Sequence, residues 1–290
     1  MYFLIKIFSM KKQYVSHLLM GLCLGLVLFT SCQKEDDFVS NEPVITDDIK
    51  ANFEELGFDV SDIGVERHKN PLTGEEVVQY ILEQDIRIDE AQMEKMLDSE
   101  VFHEGAVGEQ YRTFNLVSSP RNINVIGYTG GSFALTSKMR TALQWAVNNY
   151  NRLNTGLNFT LTFGTNYGPY DIVVYRTSGG AGGSAGFPSG GDPYKFVQIF
   201  SGTDNYDTNV VEHVITHEIG HCVGLRHTDY FDRSLSCGSG GNEGSGGVGA
   251  VYIPGTPSGF DPNSVMLSCF SSNEDGEFGF YDEVALEYLY

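Results

Sequence analysis

The sequence predicts an α+β protein in two pieces, a small α+β N-terminal segment and a larger domain built around a histidine-rich helix. Three observations predict it. The stretch Asn209 to Asp229, N-V-V-E-H-V-I-T-H-E-I-G-H-C-V-G-L-R-H-T-D, gathers four of the chain's seven histidines. Strand-like and helix-like runs lie between Asn122 and that stretch. Acid density drops near residue 119: residues 33–119 hold 22 Asp and Glu against 7 Lys and Arg, and residues 120–290 hold 16 against 8.

The chain opens with a leader. Lys6, Lys11 and Lys12 precede a mostly apolar run from Leu18 to Thr30, and residues 1–31 carry no acid. That run is short of the ~20 residues a membrane crossing needs, and its layout is that of a signal peptide. Leu28-Phe29-Thr30-Ser31-Cys32 resembles a bacterial lipobox, in which Cys32 is lipid-modified and becomes the mature N-terminus. Gln33 to Asp37 resembles the acidic tag of surface-exported lipoproteins. The resemblance implies an outer-membrane lipoprotein, exposed at the cell surface and held to the membrane through Cys32. The formal charge of the whole chain is −20. An acidic chain of this kind repels nucleic acid and anionic headgroups, which excludes a nucleic-acid partner.

Residues 32–48 read as an acidic linker and residues 49–119 as a separate segment. Ile49 to Leu56 has helical spacing that Gly57 can close. Glu76 to Asp89 alternates as one strand, and Asp89 to Leu97 returns to helical spacing. A piece of this size buries little core alone and should lean on the domain C-terminal to it.

From residue 120 the pattern strengthens. Asn122 to Tyr128 reads as a strand, and Thr136 can cap a helix to about Leu153, with Met139, Leu143, Ala146 and Val147 on one side. Leu157 to Phe163 and Asp171 to Tyr175 have strand composition. Seven glycines lie between Thr177 and Asp192 without Walker spacing. They frame an extended Ser184 to Phe187, one loop before a strand at Lys195 to Phe200.

His217 and His221 then stand one helical turn apart on one face and can grip a single zinc ion. Glu218, rotated about 100° from His217, is placed to take a proton from zinc-activated water as a general base. Gly224 can end the helix in a left-handed conformation, and His227 can close in as the third ligand. Three ligands with an open fourth position define a catalytic zinc; a structural zinc is closed by four. Opposite the ligands, Val211, Ile215, Ile219 and Cys222 form a core-facing arc, which makes Cys222 a buried thiol. His213, one turn before His217, reads as a surface or supporting residue. With Cys32 acylated, the mature chain has three cysteines left and at most one internal disulfide. Cys237–Cys269 is the preferred pair, because it would pin the loop after His227 to the region of Met266.

The full H-E-x-x-H-x-x-G-x-x-H pattern, followed by Asp261-Pro262-Asn263-Ser264-Val265-Met266-Leu267, resembles the metzincin clan of zinc endopeptidases. Within that clan it is similar to the bacterial dual-action HEIGH metallopeptidases. The resemblance implies a twisted, mostly parallel sheet with an antiparallel edge strand, a zinc helix, a turn with Met266 as the floor beneath the metal, and a C-terminal helix at Phe280 to Tyr290. It also implies that Ser184 to Phe187 is the edge along which peptide binds. Some clan members carry a tyrosine two residues after the methionine; here that position is Ser268.

The expected function is therefore peptide-bond hydrolysis by a monomeric, membrane-anchored, secreted endopeptidase with one catalytic Zn²⁺ and a protein or peptide substrate. The competing classes are a non-catalytic surface adhesin or binding lipoprotein that keeps the fold, and a zinc amidase acting on non-protein substrates. For residues 49–119 two roles stay open. As an inhibitory pro-segment it would fill the open zinc position with a carboxylate, or with His68 or His103, and be cut between Tyr111 and Arg121. As a spacer it would leave that position free.

Overall fold

The computed structural model describes residues 43–56, 58, 60–98, 110–241, 250–257 and 259–290. The leader expected at 1–31, Cys32, most of the expected linker, Gly57, His103 and the glycine-rich residues 242–249 lie outside the described residues. No helix among those described is long and apolar enough to cross a membrane.

The N-terminal part is a three-stranded antiparallel sheet flanked by two helices. Thr46 caps α1 (Asp47–Glu55) through its side chain. Strands β1 (Gly64–Lys69), β2 (Glu76–Leu82) and β3 (Ile86–Asp89) come next, in the order β1-β2-β3. The single strand expected over Glu76 to Asp89 is in fact a hairpin, with Glu83-Gln84-Asp85 as its tip. β1 was not anticipated. Asp89 caps α2 (Glu90–Leu97). Phe53, Leu56, Phe58, Tyr80, Leu82, Ile86, Ile88, Met93 and Met96 form a small core, which is completed by Phe187 from the larger part. The segment leans on its neighbour, as its size requires.

Residues 110–119 do not form an exposed connector. β4 (Tyr111–Arg112) is buried at Tyr111, and Val117 belongs to the main core. The Thr113 N–H donates to the Gly224 carbonyl and the Ser118 N–H to the Gly191 carbonyl. Between Tyr111 and Arg121 only Ser118, Ser119 and Pro120 are exposed, so the cleavage site expected there is mostly packed away.

The larger part is a five-stranded sheet with helices on one face. β5 (Arg121–Tyr128), α3 (Ser137–Arg152), β6 (Leu157–Gly164), β7 (Ile172–Thr177), β8 (Gly183–Ser184) and β9 (Phe196–Phe200) give the order β6-β5-β7-β9-β8. All pairings are parallel except β8 with β9, so β8 is an antiparallel edge. α4 (Thr208–Cys222) lies beside α3, where Tyr150 donates its hydroxyl to the Thr216 carbonyl at 2.8 Å. Met139, Leu143, Ala146, Val147, Val211, Ile215, Ile219 and Cys222 meet the sheet in one core. Beyond α4 come the single turn α5 (Ser234–Cys237), β10 (Val251–Tyr252) paired with β4, and α6 (Phe280–Leu289). Of Val284, Leu286 and Leu289, the core anchors that the sequence offers in α6, Leu286 is buried and Leu289 packs against the core, whereas Val284 is only half-buried and Ala285 and Asp282 take the buried places beside Leu286.

Candidate zinc centre

α4 is buried from Val210 to Cys222. Its ligand face is fixed from behind. His217 Nδ1 lies 2.9 Å from the Val265 carbonyl, and His221 Nδ1 lies 2.8 Å from the Leu225 carbonyl. A carbonyl only accepts, so both Nδ1 atoms carry the proton and both Nε2 lone pairs face inward. Those two Nε2 atoms are 3.0 Å apart. Gly224 ends the helix with φ at 103°, and a Cβ there would meet Leu116 at 2.8 Å. The chain turns, and His227 arrives fully buried beside the other two rings.

The fourth member comes from the hairpin tip. Asp85 Oδ2 lies 3.2 Å from His227 Nε2 and 3.6 Å from His217 Nε2. The donor atoms of Asp85, His217, His221 and His227 all fall within 4.8 Å of one another. A tetrahedral zinc with bonds of ~2.0–2.1 Å holds its donors about 3.3 Å apart. Asp85 Oδ1 and Glu218 Oε2 are buried without a hydrogen-bond partner, as expected where a cation completes the site. The residues therefore fit a zinc ion.

The electrostatics agree with that fit. Burial, reinforced by the neighbouring His217 and His227 rings, holds His221 well below the ordinary imidazole range, in the neutral form that coordinates metal. Burial works to raise Asp85, but the adjacent His227 and His217 rings outweigh it and keep its carboxyl well below the usual range. Burial and the Asp85 charge push Glu218 well above the carboxylate range, against His227 and Arg87. Glu218, His217 and Asp85 line one cavity of about 370 Å³ with Phe200, Tyr206, Val214, Leu267 and Phe270. His213 lines it too. It is buried rather than at the surface, its ring centroid 5.9 Å from that of Phe270, and burial lowers it to about 4.

Met266 is fully buried, and a Cβ on Gly220 would come within 2.5 Å of its sulfur. The turn is tied down by Asp282, which accepts from Ser264 Oγ, the Val265 and Gly279 N–H groups and Gln110 Nε2 at 2.7–2.9 Å. Asp229, the last residue of the histidine stretch, accepts from the Ser268 N–H and hydroxyl at 2.9 Å each. Cys237 and Cys269 are disulfide-bonded, as preferred, and Cys222 is a buried free thiol. Asp85, Glu83, Asp282 and Gln110 escaped the sequence reading, since each acts through a partner more than a hundred residues away or, for Asp282, through a turn whose geometry the sequence does not print.

A sheet of mostly parallel strands with a His-rich centre on a buried helix defines the class, a zinc hydrolase of mixed α and β structure. The family model described as "Dual-action HEIGH metallo-peptidase" matches residues 80–290, and the chain belongs to this family. It is a zinc metallopeptidase. Among solved structures it is similar to two of myroilysin. One is 16% identical, covering 61% of this chain and 96% of that chain at a TM-score of 0.42; the other is 15% identical, covering 59% and 83% at 0.38. No curated protein matches the chain.

Proposed function

We propose that this metallopeptidase is an endopeptidase whose zinc is held by His217, His221 and His227, with Glu218 as general base. The observation that carries the reading is the convergence of those three rings, whose donor atoms lie within 4.8 Å of one another, beside a cavity that His217 and the Glu218 side chain line. Zinc, when bound, supplies Lewis acidity that polarises the scissile carbonyl and makes the attacking water more acidic. Glu218 takes the proton from that water and delivers it to the leaving amine. The Val265 and Leu225 carbonyls keep His217 and His221 in the coordinating tautomer, and Met266 backs the helix between them. The apolar wall from Phe200 to Phe270 suits an apolar substrate side chain beside the cut bond. Lipidation at Cys32 and an outer-membrane surface location belong to the same reading and rest on the layout of residues 1–37.

The test is to incubate zinc-loaded protein with a mixed peptide library and sequence the products. Internal cuts are expected. Glu218→Gln should keep one zinc per chain and lose them, and His227→Ala should weaken zinc binding itself. Near-parental turnover by Glu218→Gln defeats the general-base assignment. A second reading has an observation of its own: with Asp85 the donor set numbers four, which is how a structural zinc is closed.

A further inference from the structure

We propose that the Glu83-Gln84-Asp85 hairpin tip is a removable plug: Asp85 fills the fourth metal position, and a Glu83–Arg226 clamp seats it, so that this conformation is a latent state of the enzyme. The inference rests on the zinc-site reading above and adds its regulation.

Asp85 supplies the first observation. A hydrolytic site needs one position free for water, and the carboxylate of this chain stands in it, 3.2 Å from His227 Nε2. The second concerns the edge strand. The Arg87 N–H donates to the Ala185 carbonyl at 2.8 Å, and the Ala185 N–H donates to the Asp85 carbonyl at 3.2 Å. Arg87 Nε donates to Ser184 Oγ at 2.9 Å, and Gln92 Nε2 to the Phe187 carbonyl at 2.7 Å. The backbone groups with which Ala185 would bind an extended peptide are therefore spent on the hairpin. Metal position and edge are blocked by the same hairpin.

A third observation shows how the tip is held. Glu83 and Gln84 have φ of 53° and 77°, a backbone region that non-glycine residues avoid. Such a conformation persists only where its surroundings impose it. Glu83 is almost fully buried and pairs with the guanidinium of Arg226, itself fully buried and 4.8 Å from the Phe58 ring centroid. Its other oxygen faces His227 Nδ1 at 3.6 Å. Arg226 directly precedes His227, so one residue of the metal loop holds the hairpin while the next receives its carboxylate. Glu83 thus controls seating without itself standing in the fourth position.

The test uses the full zinc-loaded chain and a small hydroxamate, which needs that position and an open cavity. Asp85→Asn keeps the shape and removes the anionic donor; Glu83→Gln leaves all four donors in place and weakens the clamp. Because apparent affinity scales with the fraction of open molecules, each variant should bind hydroxamate about 10-fold more tightly or better, at one zinc per chain. Hydroxamate saturation of the parent should also speed hydrogen exchange at the Arg87 and Ala185 amides, a measurement that needs no variant to fold. Parental hydroxamate affinity in both variants, or unchanged exchange at those amides under saturation, overturns the plug. If affinity rises and the amides open but no variant cuts any peptide, the plug stands and the endopeptidase reading falls.

Discussion

Asp282 offers a measurement of how the scaffold reaches the metal. Its carboxylate is fully buried on the first turn of α6 and accepts four hydrogen bonds, two on each oxygen. The Val265 N–H is one donor, and the Val265 carbonyl in turn receives His217 Nδ1. Asp282→Ala removes both acceptor oxygens and with them all four hydrogen bonds. The Ser264 hydroxyl can rotate, but the Val265 and Gly279 N–H groups are fixed by the backbone. At ~1–3 kcal/mol for each buried donor left unsatisfied, the loss is about 2–6 kcal/mol. Asp282→Asn should cost less, about 1–2 kcal/mol. Its amide nitrogen, placed where Oδ1 was, can donate to Ser264 Oγ and to Gln110 after that side chain flips, since Gln110 Oε1 has no hydrogen-bond partner. Release of the Val265 turn loosens the orientation of His217, so zinc affinity in the alanine variant should fall about 10-fold or more. Denaturant midpoints of the metal-free proteins and competition against a chelator measure the two effects separately. A loss under about 1 kcal/mol with unaltered zinc affinity would refute the coupling from α6 through the turn to the ligand.

Three further outcomes are set by local geometry. Gly183→Ala would place a Cβ 2.7 Å from Glu218 Oε1 and 2.8 Å from the Gln198 carbonyl. In an Asp85→Asn background it should lower kcat by about 10–100-fold at full zinc occupancy, and an unchanged kcat would show that Glu218 tolerates displacement. Glu212 is raised from 4.5 to about 7 by burial and by Glu277, so the folded state holds its proton more tightly than the unfolded state does. Its drag on stability is absent below about pH 4.5 and grows as pH rises to about 7; Glu212→Gln should therefore gain about 1–2 kcal/mol at pH 8 and nothing at pH 4, after allowance for solvent screening. Parallel pH–stability curves for parent and variant would contradict that. Cys237→Ser with Cys269→Ser opens a loop of 32 residues and should lower stability by about 3–4 kcal/mol on the chain-entropy account, read as a shift of the denaturant midpoint relative to the oxidised parent.

The zinc helix was legible because each residue there is constrained by its own neighbours. His217 and His221 share a face by helical period, Gly224 is demanded by a φ of 103°, and His227 comes at the distance the turn allows. The Thr136 cap and the core face of α3 were legible for the same reason, whereas the antiparallel edge at Ser184 was expected only from the family resemblance. Asp282 was not, because an acid on a terminal helix is by default a solvated residue, and only the folded turn brings four donors to it. Of the two places left open for His213, the surface and a supporting position next to His217, the structure has the buried one; sequence alone could not choose, because the loop around Phe270 that covers it is more than fifty residues downstream.

The hairpin at residue 84 shows a limit of periodicity itself. Read as one strand, the residues on the buried face are Tyr80, Leu82, Gln84, Ile86 and Ile88. Folded about Gln84, Leu82 pairs with Ile86 and Tyr80 with Ile88, and the same four apolar side chains stay on one face. A period of two is unchanged by a fold at one of its own positions, so alternation cannot distinguish the two structures. The turn also lacks the Asn-Gly or Asp-Gly that hairpins favour. What remains as a local signal is Glu83-Gln84-Asp85, three polar residues interrupting an apolar run, with two of them in left-handed backbone. A turn optimised for folding alone would put glycine there. Glu83 and Asp85 instead reach Arg226 and His227, which gives the tip a reason to keep side chains where the backbone would prefer none.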